Sequence, residues 1–352
     1  MTRLIALLFT VILLNPAQAQ TPLETSLQTA FDADELRGLH GVLVIHQGEV
    51  LGEIYFDGHD QRWGQSLGIR NHGVDTLHDV RSVSKSVTGL LYGIALDQGI
   101  VPDLGEKLYP HFPQYPDLAS DPARQGILIR HVLSMTMGTD WNENIPYTSP
   151  KNSEIAMENA ADRYRYVLEQ KVVSTPGEQF NYSGGTTALL GHLIERGSGM
   201  TLDAYAEKVL FTPLGIDNFD WVRGPDGTVA AASGLRLSLR SMARIGELIS
   251  AGGRWEGQQV VSEEWLEAIM TPEANHPVGL RYGLHWWLSS PDFPSFWVAA
   301  FGNGGQRLTI QRQFGLVIAV QAGNYNQNGD WRIPVKVIED HVVPVLRARS
   351  NR

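Results

Sequence analysis

RSVSKSVTGLL, residues 81–91, places a serine and a lysine three residues apart where an apolar helical pattern begins. Residues i and i+3 lie on one face of a helix, so Ser82 Oγ and Lys85 Nζ can meet there. A neutral amine within hydrogen-bond reach can take the proton of a serine and turn it into a nucleophile. The stretch therefore predicts a catalytic Ser82–Lys85 pair at the head of a buried helix.

The same tetrapeptide is also typical of a serine helix cap followed by a solvent-facing lysine. The residues after Lys85 argue against that alternative, because apolar side chains recur at helical spacing until the pattern ends at Gln98 and Gly99. A helix of this kind is mostly buried and leaves little room for an exposed lysine. We expect burial to lower the pKa of Lys85, since burial disfavours the charged ammonium.

The first nineteen residues have the pattern of an export signal. Arg3 supplies a positive charge, residues 4–14 are an apolar run too short to span a bilayer, and residues 17–19 form an A-x-A cleavage site. The alternative is an apolar anchor that stays attached. We predict a signal peptide at 1–19, a mature chain that starts at Gln20, and a periplasmic or secreted protein without stable membrane insertion.

Composition narrows the class of protein. The chain has no cysteine, so an exported form must gain its stability from a large core, and we expect one domain over residues 20–352. The histidines show neither H-x-x-x-H nor H-E-x-x-H spacing, which predicts no metal site, and we expect no cofactor. A formal charge of −10 argues against nucleic acid or an anionic membrane as partner. The sequence leaves the oligomeric state open.

Strand patterns occur near both ends of the chain and helical patterns lie between them. This order predicts an α/β fold of the α+β type, with one antiparallel sheet assembled from both chain ends, flanking helices and a mostly helical lobe at about 100–235. The site is expected in the cleft between sheet and lobe. Strands are predicted at 41–46, 49–56, 281–288, 299–301, 306–311 and 316–321, and helices at 127–135, 156–169, 186–196, 201–209, 238–250, 262–270 and 334–347.

Two further motifs can complete a serine–lysine site. In FNYSGG, residues 180–185, Tyr182 lies in a polar turn before a helix, where a phenol of lowered pKa could pass the proton to the leaving group. In FGNGGQ, residues 301–306, glycines between two strands could aim a backbone N–H at a substrate carbonyl. The alternatives are an ordinary half-buried tyrosine and a hairpin turn without function.

The three motifs, in this order, resemble those of the class C β-lactamase and penicillin-binding-protein superfamily of serine hydrolases. The resemblance extends over nearly all of the predicted mature chain, and the segment MTMGTDW at 135–141 most resembles the esterases and 6-aminohexanoate-dimer hydrolases of that group. It implies a β-lactamase/transpeptidase-like fold, with Ser82 as nucleophile and with Lys85 and Tyr182 as general base and acid. It also implies an oxyanion hole made by the backbone N–H groups of Ser82 and Gln306. Other similar segments are GIALDQG at 93–99, HVLSMTMG at 131–138, PGEQF at 176–180 and TPLGI at 212–216.

Two motifs depart from the family pattern. The usual Y-x-N is Tyr182-Ser183-Gly184 here, and the usual K-T-G or H-x-G is Asn303-Gly304-Gly305. An amide, a cation and a hydroxyl that would hold a β-lactam are missing, so we predict a hydrolase of carboxylic esters or small amides. The residues expected to bind substrate are Asp140, Trp141, Asn303, Gly304 and Gly305, with Asn142, Glu143 and Tyr147 also lining the cleft.

Other functions stay open at this point. A β-lactamase or a D,D-peptidase would use the same nucleophile. A non-catalytic binder of cell-wall peptide could keep the fold, although the intact Ser82, Lys85 and Tyr182 argue against it. A Ser-His-Asp hydrolase on another fold is a further alternative; the G-x-S-x-G spacing typical of such enzymes occurs in GQSLG at 64–68, away from the S-x-x-K motif.

Overall fold

The computed structural model describes residues 19–350. The predicted signal peptide, apart from Ala19, lies outside these residues. Within the described range, no helix combines the length and the apolar character needed to cross a membrane.

The described chain has strands near both ends and a run of helices, α2–α8, between β5 and β6. The strands are β1 Leu39–His46, β2 Glu49–Tyr55, β3 Gly58–Arg62, β4 Gln65–Arg70, β5 His78–Asp79, β6 Phe219–Trp221, β7 Leu235–Leu237, β8 Arg254–Trp255, β9 Gln258–Gln259, β10 Ala274–Asn275, β11 Arg281–Tyr282, β12 Trp287–Leu288, β13 Val298–Gly302, β14 Gln306–Gln311 and β15 Leu316–Ala322. The helices are α1 Pro22–Asp32, α2 Val83–Asp97, α3 Pro116–Ala119, α4 Ile129–Leu133, α5 Ser153–Glu158, α6 Arg163–Leu168, α7 Gly184–Ser198, α8 Leu202–Ala206, α9 Leu239–Ser250, α10 Glu263–Met270, α11 Arg332–Lys336 and α12 Val343–Ser350.

The main sheet joins the two ends of the chain, as predicted. Its eight strands run in the order β10-β11-β12-β13-β14-β15-β1-β2, and every pair is antiparallel. The central contact pairs β1 with β15, where Val42 lies opposite Val320 and Leu43 opposite Ala319. The predicted fold class is therefore confirmed.

Alternation along the central strands gives the sheet two buried faces. Val42 and Val320 point into a core formed with α1 and the C-terminal helical segment. Leu43 and Ala319 point into the opposite, larger core, which includes α2 and α9. Helix α2 is thus sandwiched between the sheet and the helical lobe, and every residue from Val83 to Ala95 is buried.

Three predicted elements were wrong in their bounds. The single helix 156–169 is divided into α5 and α6, because the Asp162 side chain accepts the Arg165 N–H and caps a new helix. The single strand 281–288 is a pair, β11 and β12, separated by a turn in which His285 has φ +65°. The closing helix 334–347 contains a π-helical segment, Val337–Val342, between α11 and α12.

A small sheet leads into α2, the predicted catalytic helix. Its order is β5-β7-β6, and the sequence patterns did not predict it. Strand β5 ends at Asp79, three residues before Ser82, and pairs with β7 through His78 opposite Leu237. This sheet therefore fixes the chain immediately before the catalytic helix.

Candidate active site

The turn before Ser82 is held in an uncommon backbone conformation. Arg81 has φ +50°, a region that non-glycine residues rarely adopt. Its guanidinium lies 3.2 Å from the Asp79 carboxylate and 4.9 Å from the centre of the Tyr325 ring. Ser82 follows as the N-cap of α2, with helical backbone angles. These contacts fix the turn from which Ser82 projects.

Lys85 meets Ser82, as the i, i+3 spacing predicted. Lys85 Nζ lies 3.1 Å from Ser82 Oγ, and it also donates to the backbone oxygen of Ala232 at 3.2 Å. Only 1% of the Lys85 side chain is exposed. The alternative of a solvent-facing lysine is therefore wrong.

A carboxylate that the sequence analysis missed completes this pair. Glu154 Oε2 accepts from Lys85 Nζ at 2.8 Å, and Glu154 Oε1 accepts from Ser233 Oγ at 2.6 Å. Both Lys85 and Glu154 are buried, so the two opposite charges form an ion pair shielded from water. Lys85 is thus one member of a candidate catalytic triad of Ser82, Lys85 and Glu154.

The expected lowering of the Lys85 pKa is wrong. Burial alone would lower it, but the negative charge of Glu154 and the nearby Tyr182 and Glu143 outweigh burial and raise the pKa of Lys85 above its ordinary value. Burial would likewise raise the pKa of Glu154, but Lys85 holds it below its usual range. The resting pair is therefore an ammonium and a carboxylate.

The glycine at position 184 leaves space for the Glu154 side chain beside Lys85. It stands where the family pattern has the asparagine of Y-x-N, and a Cβ on Gly184 would overlap Glu154 Oε2. The Asn152 side chain positions Glu154 by accepting its backbone N–H at 3.0 Å. The acidic side chain therefore occupies the space that the missing asparagine leaves.

Tyr182 lies beside the pair, with Lys85 Nζ 5.1 Å from the centre of its ring. The expected lowering of its pKa is wrong, since burial raises the pKa and outweighs the opposing effects of Lys85 and of a hydrogen bond with Ser82. Its ring stacks on Trp287, which in turn stacks on Phe301. Tyr182 is thus a neutral phenol at the end of an aromatic wall.

Glu143 is a second buried carboxyl group behind the site. It accepts from Trp141 Nε1 at 2.6 Å, from the Tyr147 hydroxyl at 2.8 Å and from the Gly184 N–H. Burial and repulsion by Glu154 raise the pKa of Glu143 to about 7. Two carboxyl groups with different protonation preferences therefore lie near Lys85.

Asp140 and Trp141 do not contact the catalytic triad directly. Asp140 is exposed, and its backbone N–H donates to Lys171. Trp141 is only 5% exposed and belongs to the core, where it reaches the site through Glu143. Tyr147 reaches the site in the same indirect way.

The third motif forms a braced turn between β13 and β14. The Gly304 N–H donates to Asp330 at 2.6 Å, and Asn303 Oδ1 accepts the Asn326 N–H at 2.9 Å. Gly304 and Gly305 are buried and have φ of +93° and +96°, so glycine is required at both positions for conformational reasons.

The strand that leads into this turn packs against the segment that precedes α2. A Cβ on Gly302 would overlap the backbone oxygen of Val80, two residues before Ser82. Gln306 lies opposite Gly302 in the β13–β14 pair, and its side chain donates to the backbone oxygen of Ala322. The end of β13 therefore lies directly against the segment that leads to Ser82.

The site residues that sequence reasoning missed are Glu154, Ala232 and Ser233. Each lies far from the S-x-x-K motif in sequence, and each is brought to Lys85 by tertiary packing. One signal was present: Glu154 follows Asn152 by two residues and lies two residues before the predicted helix 156–169. A buried cation requires a buried counter-charge, and Glu154 is the residue that supplies it.

A serine and a lysine in contact at the head of a buried helix, beside an antiparallel sheet, are characteristic of serine hydrolases with the S-x-x-K motif. The sequence profile of the Beta-lactamase family matches residues 30–333. The chain belongs to this family and is a serine hydrolase of the superfamily.

The similar proteins include hydrolases of several kinds. The 6-aminohexanoate-dimer hydrolase of Paenarthrobacter ureafaciens is 26% identical over 299 residues, 78% of this chain and 70% of the relative. A β-lactamase of Escherichia coli K12 is 26% identical over 214 residues, 60% of this chain and 50% of the relative.

Solved structures share the fold at lower identity. EstCE1, a hydrolase with promiscuous acyltransferase activity, has a TM-score of 0.72 at 17% identity, covering 90% of this chain and 96% of its own. A penicillin-binding protein homologue from Caulobacter crescentus has a TM-score of 0.67 at 16% identity, covering 92% of this chain and 96% of its own.

Proposed function

We propose that this protein is an exported serine hydrolase that cleaves carboxylic esters or small amides through an acyl-enzyme on Ser82. The observation that carries the proposal is the 3.1 Å contact of Ser82 Oγ with Lys85 Nζ, backed by Glu154 at 2.8 Å. Export rests on the leader pattern of residues 1–19 alone.

The ion pair suggests how the serine loses its proton. An ammonium cannot accept a proton, so Lys85 must give one up as it takes one from Ser82. Glu154 Oε2, 2.8 Å from Nζ, can receive the first proton, which leaves a neutral amine and a neutral acid; the amine then takes the Ser82 proton and becomes an ammonium again. Ser82 Oγ then attacks the carbonyl carbon. Tyr182, as a neutral phenol, can donate to the leaving oxygen or nitrogen.

The acyl-enzyme is then hydrolysed by water, which needs the same groups in reverse order. The negative oxygen of each tetrahedral intermediate requires backbone donors, for which we propose the N–H groups of Ser82 and Gln306. The close approach of Gly302 to Val80 supports this, because it holds the β13–β14 turn against the start of α2.

The substrate class follows from what surrounds the nucleophile. The third motif carries no cation, since Asn303 replaces the lysine and uses its amide oxygen within the turn. The aromatic wall of Tyr182, Trp287 and Phe301 offers apolar surface. Both features favour a neutral, largely apolar acyl group over a carboxylate-bearing β-lactam. The relative named for hydrolysis of a 6-aminohexanoate dimer, a small linear amide, is consistent with a small amide as substrate.

A substrate panel tests the proposal. We expect kcat/KM for p-nitrophenyl butyrate to exceed that for nitrocefin by more than the one to two decades that a lost charged hydrogen bond represents, about 1.5–3 kcal/mol. Intact-mass measurement with a slow ester should show one adduct in the wild type and none in Ser82→Ala, with turnover reduced by about a thousandfold or more.

Ser86→Ala is the matched control. It removes the same atom one turn further along α2, where Ser86 Oγ donates to the backbone oxygen of His285, and should keep the adduct. A preference for nitrocefin would restore the β-lactamase alternative, and an adduct that persists in Ser82→Ala would place the nucleophile elsewhere.

A further inference from the structure

Three histidines that are distant in sequence meet in the fold. His40 comes from β1, His72 from the loop after β4, and His78 from β5. One potential ligand atom of each lies within 4.8 Å of those of the other two. This histidine cluster of His40, His72 and His78 is separate from the catalytic triad.

The hydrogen bonds of the cluster are incomplete. His40 is only 1% exposed, yet its Nε2 has no hydrogen-bond partner, and the buried Nε2 of His72 has none either. The two rings stack with centroids 4.1 Å apart. Buried polar atoms in folded proteins almost always have partners, so two unpartnered nitrogens in one cluster need an explanation.

His78 has the arrangement expected of a metal ligand. Its Nδ1 lies 3.1 Å from the backbone oxygen of Asp79, so Nδ1–H can donate there and leave the Nε2 lone pair to accept the His40 Nδ1–H or, in its place, to bind a cation. That Nε2 lies 2.9 Å from His40 Nδ1 and 3.7 Å from Asp60 Oδ1. A backbone carbonyl that fixes the tautomer and a nearby carboxylate are typical of the surroundings of metal-bound histidine.

The backbone makes room for these rings. A Cβ on Gly58 or on Gly323 would overlap the His40 imidazole. A cavity of about 550 Å³ beside the β3–β4 hairpin is lined by Asp60 and by Asn71, the neighbour of His72. The cavity brings solvent near the cluster through Asp60, which lies 3.7 Å from His78 Nε2; Arg62, Arg70 and Arg236 line it as well, and none of the three histidines is among its lining residues.

We propose that His40, His72 and His78 bind one first-row divalent cation, for which Zn²⁺ is the best match. Three imidazoles suit this class of ion, and the chain has no cysteine that could supply a thiolate ligand. Asp60 or a water completes the coordination. The sequence spacing predicted no metal site because the three ligands belong to separate elements.

The proposed ion has a structural role, since it joins the main sheet to the segment before the nucleophile. Tyr325 connects the two regions: its hydroxyl lies 3.1 Å from His78 Nδ1, and its ring lies under the Arg81 guanidinium. Arg81 has the uncommon backbone angle that precedes Ser82. The cation would therefore stabilise the turn that presents the nucleophile.

Metal titration tests this proposal on the full-length mature protein. After removal of metal with a chelator, we expect the wild type to take up one equivalent of Zn²⁺ by elemental analysis and to melt at a higher temperature as Zn²⁺ increases. Co²⁺ in place of Zn²⁺ should give the intense visible absorption of a four-coordinate site. His72→Gln, at the least buried ligand, should raise the Kd by more than about tenfold.

His59→Gln is the matched control, because His59 is exposed and lies on β3 beside the site. It should bind as the wild type does. A wild type that takes up no Zn²⁺, or a His72→Gln variant that binds with unchanged affinity, would overturn the proposal. If His40→Asn does not fold, His72→Gln with circular dichroism as a fold check still decides the question.

Discussion

Two buried polar clusters lie on either side of the turn at Arg81, and they satisfy their polar atoms in opposite ways. In the catalytic triad, the Lys85 ammonium has three oxygen partners and both oxygens of Glu154 accept hydrogen bonds. In the histidine cluster, two ring nitrogens have no partner. The first cluster is charged and complete, whereas the second is neutral and incomplete.

This difference indicates how much the stability of the protein depends on each member of the two clusters. A buried ion pair is held by its own members, so removing one of them leaves an uncompensated charge. A neutral cluster with free lone pairs tolerates the loss of one member, unless a ligand binds there. Stability measurements on variants of the two clusters therefore test whether they differ in this way.

The largest effect is expected at the ion pair. Lys85→Met leaves the Glu154 carboxylate buried without its partner and should destabilise the protein by about 3–5 kcal/mol. The double variant Lys85→Met/Glu154→Gln removes both charges and should recover most of that stability. Both should lose nearly all turnover, because the proton route is absent. Urea unfolding and ester hydrolysis measure these two effects separately; a double variant no more stable than Lys85→Met would contradict the ion-pair account.

A smaller effect is expected at Glu143 and depends on pH. Its folded-state pKa of about 7 lies above the unfolded value of about 4.5, so the folded state binds more protons between these pH values and stability falls as pH rises through that window. Glu143→Gln stays neutral and should be more stable than the wild type at pH 8, by about 3 kcal/mol, but not at pH 4. Equal stability differences at both pH values would show that Glu143 does not titrate in this range.

Urea unfolding at pH 4 and pH 8 supplies the measurement for Glu143. Glu53→Gln is a useful control, because Glu53 is paired with Arg240 and its pKa is lowered. That variant should therefore not reproduce the gain at high pH.

The smallest effect is expected in the histidine cluster without metal. His72 is half-buried and its Nε2 has no partner, so His72→Gln in the presence of a chelator should change the free energy of unfolding by less than about 1 kcal/mol. Urea unfolding with chelator is the measurement. If His72→Gln lowered the free energy of unfolding as much as Lys85→Met does, each cluster would depend equally on its members, and the proposed difference between the clusters would be wrong.

Sequence patterns predicted the main elements because these depend on local periodicity. The short, nearly continuous apolar runs of β1 and β15 and the apolar spacing of α2 each lie within one stretch of sequence, so each could be recognised alone. The predicted bounds were wrong where one residue determines the local structure. Asp162 starts a new helix within 156–169, and His285 lies in a turn that divides a predicted strand into two.

The sequence by itself determined that Ser82 and Lys85 would meet, because three residues on a helix fix which side chains share a face. It also indicated that strands from the two parts of the chain nearest its ends, among them β1 and β15, form one sheet. Tertiary structure alone decided the protonation states, since the pKa of Lys85 depends on Glu154, sixty-nine residues away, and not on burial alone. It likewise brought together His40, His72 and His78. Electrostatic energy and metal coordination depend on distances in space, which spacing along the chain does not specify.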